Sequence, residues 1–165
     1  QGIQVVPEDW VIAMTSPQAK DGSAYGFQWW IPDNATPGEV MAQGIYGQYI
    51  YINPGLGVVI AVNSADRGFE EPGVYDGNIA MLRAIARAWK WRRQLEEGEA
   101  STLQDIAGKE GVSERFIGRM IRLAYLAPEV LEALVVKRRP SAISINEMVE
   151  VAKLPWGEQM GRVFG

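Results

Sequence analysis

The stretch YDGNIAMLRAIARAWKWRRQLEE, residues 75–97, decides how this chain is organised. Its last twenty residues contain no glycine or proline, the residues that most often end a helix, and a glycine follows directly after them. Ile79, Leu82, Ala86 and Trp89 recur at i, i+3, i+7 and i+10, which places them on one face of an α-helix. The spacing therefore predicts one continuous helix, roughly twice the usual length of about 11–12 residues, with an apolar stripe that covers neighbouring structure.

The composition changes across this helix. Residues 1–87 carry 4 Lys+Arg and 9 Asp+Glu, net −5, whereas residues 88–165 carry 12 and 11, net +1. Eleven of eighteen glycines and five of six tyrosines lie in the first part, which is typical of strands and turns, while the second part has helical patterning. This shift predicts two modules, 1–87 and 88–165, joined inside the helix. The predicted fold class is α+β: a small antiparallel sheet with a long covering helix, then an all-α helix–turn–helix domain.

The first part predicts a short helix at 7–14 and three strands. The strand at 25–30 is rich in aromatic residues, and the strand at 45–52 is interrupted by a glycine. Residues 58–62 form a continuous apolar run, typical of a strand buried on both faces. The Asn-Pro-Gly turn before that run favours an antiparallel hairpin.

The second part predicts a helix–turn–helix. Ser101 or Thr102 can cap a first helix at 103–110, and Ser113 caps a second helix that runs from residue 114 to about 126. A second helix of this kind is shaped to enter a DNA major groove. Helices at 128–136 and 145–153, the latter capped by Ser144, and a short turn at 155–159 follow. Ile117, Met120, Ile121 and Ala124 form an inward stripe, and Arg115, Gly118, Arg119 and Arg122 form the outward stripe.

The outward arginines make duplex DNA the first partner that the sequence suggests. Arginine recognises guanine edges with two hydrogen bonds, and Lys or Arg neutralises phosphates. The alternative is an ordinary helical hairpin with a solvated basic face, which the near-neutral charge of this part favours. The predicted DNA-binding residues are Ser113, Arg115, Arg119, Arg122, Lys137, Arg138 and Arg139.

The absence of two residue types excludes whole classes of function. The chain contains no His and no Cys, which removes the Ser-His-Asp triad, the Cys-His dyad, disulfides and Cys/His zinc sites. Its acidic residues are scattered, so we predict no metal and no cofactor. No apolar run is long enough for a bilayer span, and the absence of Cys is consistent with a reducing, cytoplasmic location. The chain begins at Gln1 without a Met, which suggests a fragment or a processed protein.

Four motifs of the first part carry a resemblance to a known family. In chain order they are VPEDWV (6–11), YGFQWW (25–30), GIYGQYIYINP (44–54) and VVIA (58–61). Over residues 2–87 they resemble the C-terminal part of the serine β-lactamase-like hydrolases, which include class C β-lactamases, esterases and aminohexanoate-dimer hydrolases. The resemblance implies a Ser-x-x-Lys nucleophile and a Tyr-x-Asn base. No Ser-x-x-Lys occurs, so we predict no catalytic residue and no enzyme as the chain stands.

The resemblance also implies a strand that lines the substrate site, and this strand corresponds to residues 44–47. It gives Tyr46, Gly47 and Gln48 as substrate-lining residues. The alternative for Tyr46 is a buried strand aromatic. Tyr51-Ile52-Asn53 has the letters of Tyr-x-Asn, but it lies in the hairpin strand, so we interpret this match as chance.

The resemblance also bears on the predicted sheet, because the hydrolases of this family have more strands and a covering helical domain. We therefore expect one edge and one face of this small sheet to be exposed, and such a surface favours self-association. We expect Trp10, Trp29, Trp30 and Tyr49 in that exposed surface.

The second part resembles a different family. RAIARAWKWRR (83–93), GVS (111–113), IRLAYLAP (121–128) and PWGEQ (155–159) resemble the helix–turn–helix tail beside phage-type site-specific recombinases and, more loosely, the helix–turn–helix of ParB-like partition proteins. This resemblance, over 83–163, implies a DNA-binding accessory module. Because both resemblances use the start of the long helix, we interpret the chain as a chimera, whether a natural fusion, a sequence-assembly artefact or an engineered sequence.

Three functional hypotheses follow from these resemblances. The first is a DNA-binding helix–turn–helix module fused to an incomplete serine-hydrolase fragment. The second is a hydrolase piece whose Ser-x-x-Lys half lies on a separate partner chain. The third is a chimeric chain with no selected function. None of the three involves a membrane.

Overall fold

A computed structural model describes residues 3–131, 133 and 145–164 of the chain. The fold is α+β, as predicted: a three-stranded antiparallel sheet, a long helix and a helical C-terminal part. A 3-10 helix, Ile121–Tyr125, follows the fourth α-helix. The strands are β1 (Val40–Gln43), β2 (Tyr49–Asn53) and β3 (Val58–Val62), and the helices are α1 (Glu8–Met14), α2 (Val74–Glu96), α3 (Leu103–Glu110), α4 (Glu114–Met120), α5 (Pro128–Leu131), α6 (Ile145–Val151) and α7 (Trp156–Phe164).

The strands lie in the order β1-β2-β3, and both pairs are antiparallel. The predicted hairpin between β2 and β3 is confirmed, and Tyr51 at its centre pairs with Met41 on one side and Ile60 on the other. The first strand of the sheet, β1, was not predicted, because four residues are too few to show an alternating pattern. The predicted strand at 45–52 begins only at Tyr49, since residues 44–47 form the turn between β1 and β2.

The predicted strand at 25–30 is wrong. Gly26 N–H donates to the Trp29 carbonyl (2.8 Å), and Gln28 between them has φ +67°, so the segment turns back on itself. Only Trp30 joins the sheet margin, through a bridge to Met41. A Cβ at Gly26 would lie 2.1 Å from the Met14 carbonyl oxygen, so a glycine is needed where this turn packs against the end of α1.

The sheet has one covered and one exposed face. The prediction that β3 is buried on both faces is wrong: Val59 is 67% exposed, because β3 lies at the sheet edge and α2 covers only one face. Ile50 is exposed on the same side, in agreement with the predicted apolar face. Trp10 and Trp30 are exposed and Trp29 is half-buried, whereas Tyr49 is buried under α2, contrary to prediction.

The continuous helix predicted between the two parts is confirmed by α2, which spans 23 residues. Its predicted stripe is correct at Ile79, Leu82 and Ala86, which pack on the sheet, but wrong at Trp89, which is 43% exposed. Trp91 is buried instead, because the buried face of α2 rotates around the helix where the contact changes from the sheet to the C-terminal helices. One helix therefore contributes to the buried clusters of both parts.

The C-terminal helices close the fold. α5 covers the start of the helix predicted at 128–136. Apart from residue 133, the rest of that segment lies outside the described residues, as does the Ser144 cap. The short turn predicted at 155–159 is wrong, because α7 continues to Phe164 and buries Gln159. Gln159 accepts from Ala127 N–H (2.8 Å) and donates to the Leu154 carbonyl (2.9 Å). Over the described part of the chain, no helix is both long and apolar enough to cross a membrane.

Candidate nucleic-acid interface

The first helix of the pair, α3, is fixed at its start by a capping box. Thr102 Oγ1 accepts from Asp105 N–H (3.1 Å), and the Asp105 carboxylate accepts from the backbone N–H groups of Thr102 (2.9 Å) and Ser101 (3.0 Å). These bonds satisfy N–H groups that a helix start leaves without partners. Thr102 is thus the cap, of the two residues that the sequence offered.

A tight turn sets the angle between α3 and α4. Gly111 adopts φ +68°, a left-handed conformation that favours glycine, and Val112 N–H donates to the Ala107 carbonyl (3.1 Å). Ser113 then caps α4 as predicted, since its hydroxyl accepts from Phe116 N–H (3.2 Å). The two helices are therefore short, capped elements joined by a turn of defined geometry.

The second helix is shorter than predicted. α4 ends at Met120 and continues as the 3-10 helix, whereas the sequence predicted an α-helix to about residue 126. The Arg92 guanidinium, which lies over the rings of Trp89 and Tyr125, donates to the Ala124 carbonyl (3.0 Å). That carbonyl is therefore satisfied from α2 instead of by a further α-helical turn.

A compact core beneath the pair fixes which face of α4 points outward. Ile106 of α3 and Ile117 of α4 are fully buried, and both pack with Trp91 of α2. The Trp91 ring meets the Phe116 ring edge to face, with centroids 6.3 Å apart. Because Ile117 is the buried residue of α4, the side of α4 opposite Ile117 faces outward.

Ser113, Arg115 and Arg119 lie on that outward side and are exposed. No carboxylate lies within 4.0 Å of either arginine among the described residues. Gly118 departs from the predicted outward stripe: it is half-buried, and a Cβ added there would lie 3.3 Å from Leu103 Cδ1 of α3. The exposed basic face of α4 is therefore centred on Arg115 and Arg119, one helical turn apart.

Arg122 differs from these two arginines. It lies at the edge of the same side, where its Nη1 is 3.9 Å from Glu150 of α6. Glu150 also pairs with Lys153, and the hydrogen bond from Lys153 and the charges of Arg122 and Arg119 hold the pKa of Glu150 below its ordinary value. Glu150 lies on α6, 28 positions further along the chain than Arg122, so helical spacing alone could not predict this contact.

The three remaining predicted DNA-binding residues, Lys137, Arg138 and Arg139, lie outside the described residues. The predicted substrate-lining residues Tyr46, Gly47 and Gln48 lie in the connection between β1 and β2, outside both strands. Tyr46 is 47% exposed, so the alternative of a buried strand aromatic is wrong. Gln48 has a structural role there, since it accepts from Tyr46 N–H (3.1 Å) and donates to the Ser64 carbonyl (2.7 Å).

A buried polar network that the sequence did not predict lies between the sheet and α2. Glu39 is buried, and its Oε1 accepts from Arg83 Nε (2.7 Å) and from the Tyr51 hydroxyl (3.0 Å). Its Oε2 accepts from the backbone N–H (2.9 Å) and the hydroxyl (3.0 Å) of Thr36. Asn53 donates to both Tyr51 Oη and Thr36 Oγ1 (each 3.1 Å). Tyr51 is the tyrosine of the Tyr-x-Asn sequence match, and it is fully buried and hydrogen-bonded within this network.

Opposing effects determine the ionisation of this network. Burial raises the pKa of the Glu39 carboxyl, but hydrogen bonds from Arg83, Thr36 and Tyr51 outweigh it, and the pKa of Glu39 lies below its ordinary value. Burial raises the pKa of Tyr51, so its hydroxyl keeps the proton that it donates to Glu39. The network consequently holds an ionised carboxylate inside the fold.

We expect acid to destabilise the protein partly through Glu39. A carboxyl whose pKa is lower in the folded chain stabilises the fold fully above the unfolded pKa of about 4.3, and this contribution is lost as the pH falls through the folded value. The free energy of unfolding should be measured with urea at neutral pH and at a series of lower pH values. It should fall less steeply with decreasing pH for Glu39→Gln than for the unaltered protein. The exposed-site control Glu70→Gln should keep the original slope. Identical slopes for all three proteins would contradict this role of Glu39.

Within the described ranges, no group of three or more acidic side chains is placed to hold a metal ion. A comparison of the chain with known proteins finds no matching family, no matching curated protein and no matching solved structure.

Proposed function

We propose that the chain binds duplex DNA, with α4 as the helix that enters the major groove. The observation that carries the proposal is the capped α3–turn–α4 unit, whose buried core leaves Ser113, Arg115 and Arg119 exposed on one side. Helix–turn–helix proteins place their second helix in the groove in this way, and arginine is the side chain that most often reads guanine there.

The charges define what kind of binding the proposal entails. Arg115 and Arg119 are available for phosphates or base edges, whereas Glu150 already neutralises part of the charge of Arg122. One chain thus offers few contacts, and we expect an affinity in the nonspecific range, about 10⁻⁴ to 10⁻⁶ M at physiological salt. The proposal assigns no catalytic step to the chain, because its sequence contains no Ser-x-x-Lys, no His and no Cys.

The test is fluorescence anisotropy with a labelled duplex at two salt concentrations. Arg115→Ala and Arg119→Ala should each weaken binding and lower the log–log salt slope by about one unit if the arginine contacts a phosphate. If either arginine reads a base, its loss should cost about 1–3 kcal/mol and relax the preference at one position. Arg122→Ala should have a smaller effect than either, because Glu150 is its neighbour.

Arg67→Ala is the matched control, because it removes the same charge from an exposed arginine. Arg67 lies in the connection between β3 and α2, outside the α3–turn–α4 unit. It should bind duplex DNA as the unaltered chain does. If Arg115→Ala and Arg119→Ala bind no more weakly than Arg67→Ala, or if binding does not depend on salt, the outward face of α4 is an ordinary solvated surface and the proposal is wrong.

A further inference from the structure

A cavity of about 380 Å³ lies between the end of the sheet and the middle of α2, and none of its lining residues belongs to α4. Thr36 and Asn53 line it from the sheet side. Arg83, Arg87 and Lys90 line it from α2, where their i, i+4 and i+7 spacing places them on one face of the helix. Its volume falls within the range of small-molecule binding sites.

The cavity has more positive charge than its own acid can neutralise. Glu39 is the carboxylate in its lining, and all of its hydrogen bonds go to Arg83, Tyr51 and Thr36. Glu39 therefore compensates Arg83 alone. Arg87 has no carboxylate within 4.0 Å in the described part of the chain, and it is exposed.

Lys90 makes one long ion pair, with Glu110 of α3, among the described residues. Its Nζ lies 3.6 Å from Glu110 Oε1 at the end of α3, which is longer than a hydrogen bond. The pair is partly exposed, and a contact of this kind contributes little to stability. Lys90 can therefore turn to an anion in the cavity at small cost, beside Arg87.

We propose that this cavity binds a small phosphomonoester, with Arg87 and Lys90 as the groups that hold its phosphate. A guanidinium pairs with two phosphate oxygens at once, and an ammonium adds a second positive charge to match the dianion. The cavity is larger than a phosphate group, so it has room for an organic body next to Thr36 and Asn53. This site shares no residue with the proposed DNA-binding face, and the proposal does not depend on DNA binding.

The experiment is isothermal titration of the full chain with adenosine 5′-monophosphate, with adenosine and with inorganic phosphate. Adenosine 5′-monophosphate should bind, and adenosine should bind at least about tenfold more weakly, because it lacks the phosphate. Arg87→Ala and Lys90→Gln should each weaken nucleotide binding by about tenfold, the loss expected for a hydrogen bond to a charged group. Arg67→Ala should bind as the unaltered chain does.

A further variant separates the cavity from the DNA-binding face. Arg115→Ala combined with Arg119→Ala should retain full binding of adenosine 5′-monophosphate. Equal binding of adenosine and its monophosphate, or unchanged binding by both Arg87→Ala and Lys90→Gln, would overturn the proposal. It would also be overturned if adenosine 5′-monophosphate does not bind. If Arg87→Ala then weakens duplex binding, the cations belong to the DNA surface.

Discussion

Replacement of Trp91 by alanine is expected to lower the free energy of unfolding by about 3–5 kcal/mol. Trp91 is only 2% exposed and is the large side chain that α2 inserts between α3 and α4, where it packs with Ile106, Ile117 and Ile121. Alanine would leave a cavity at the point where the helix–turn–helix is attached to the long helix. Urea unfolding followed by far-ultraviolet circular dichroism measures the loss.

Two further variants show whether packing is the cause. Trp91→Phe should cost less than half as much, because phenylalanine keeps an aromatic ring in the core. No hydrogen bond is lost either, since Trp91 Nε1 has no hydrogen-bond partner among the described residues. Trp89→Ala removes the same side chain two positions earlier, where it is 43% exposed and contacts Arg92, and should cost about 1 kcal/mol. A cost for Trp91→Ala that does not exceed that of Trp89→Ala would contradict the described packing.

The second large effect is expected at Arg83. Arg83→Met removes the 2.7 Å ion pair to Glu39 and a hydrogen bond to the Asp33 carbonyl (3.0 Å), and it leaves a buried carboxylate without its counter-charge. We expect a loss of about 2–3 kcal/mol in the free energy of unfolding. This is below the full cost of breaking a buried pair, because Arg83 is partly exposed and Thr36 and Tyr51 still donate to Glu39.

Arg87→Ala is the control for this effect, since Arg87 lies one turn further along α2 and has no carboxylate within 4.0 Å among the described residues. Its free energy of unfolding should change by no more than about 0.5 kcal/mol. Glu39→Gln combined with Arg83→Met should be less destabilised than the sum of the two single changes, because the lone charge is gone. Additive losses, or equal losses for Arg83→Met and Arg87→Ala, would contradict the ion pair.

Local patterns in the sequence predicted the elements that local physics determines. The absence of glycine and proline predicted α2, the Asn-Pro-Gly turn predicted the β2–β3 hairpin, and Ser113 predicted the start of α4. The segment at 25–30 was mistaken for a strand, because its aromatic composition is strand-like but the turn depends on how Gly26 packs on α1. Helical spacing likewise could not distinguish Trp89 from Trp91, because the structure packed against α2 changes along its length.

The candidate site shows the same limit. The outward position of Arg115 and Arg119 follows from helical periodicity, which the sequence contains. The pairing of Arg122 with Glu150 and of Arg83 with Glu39 joins residues far apart in the chain, with no local signal. Tyr51 and Asn53 alternate along β2 and are both buried in the polar network, but their letters alone do not show which face of the strand is covered. Tertiary contacts, and not propensity, determine which charges are neutralised.

An amide chemical-shift titration of the labelled chain with duplex DNA tests the central claim most directly, because it locates the bound surface residue by residue. The proposal predicts the largest shifts between Ser113 and Arg119, with β2 and β3 unchanged, and their loss in the Arg115→Ala/Arg119→Ala double variant. Shifts centred on the sheet, or no shift in α4 at duplex concentrations well above about 10⁻⁴ M, would contradict it.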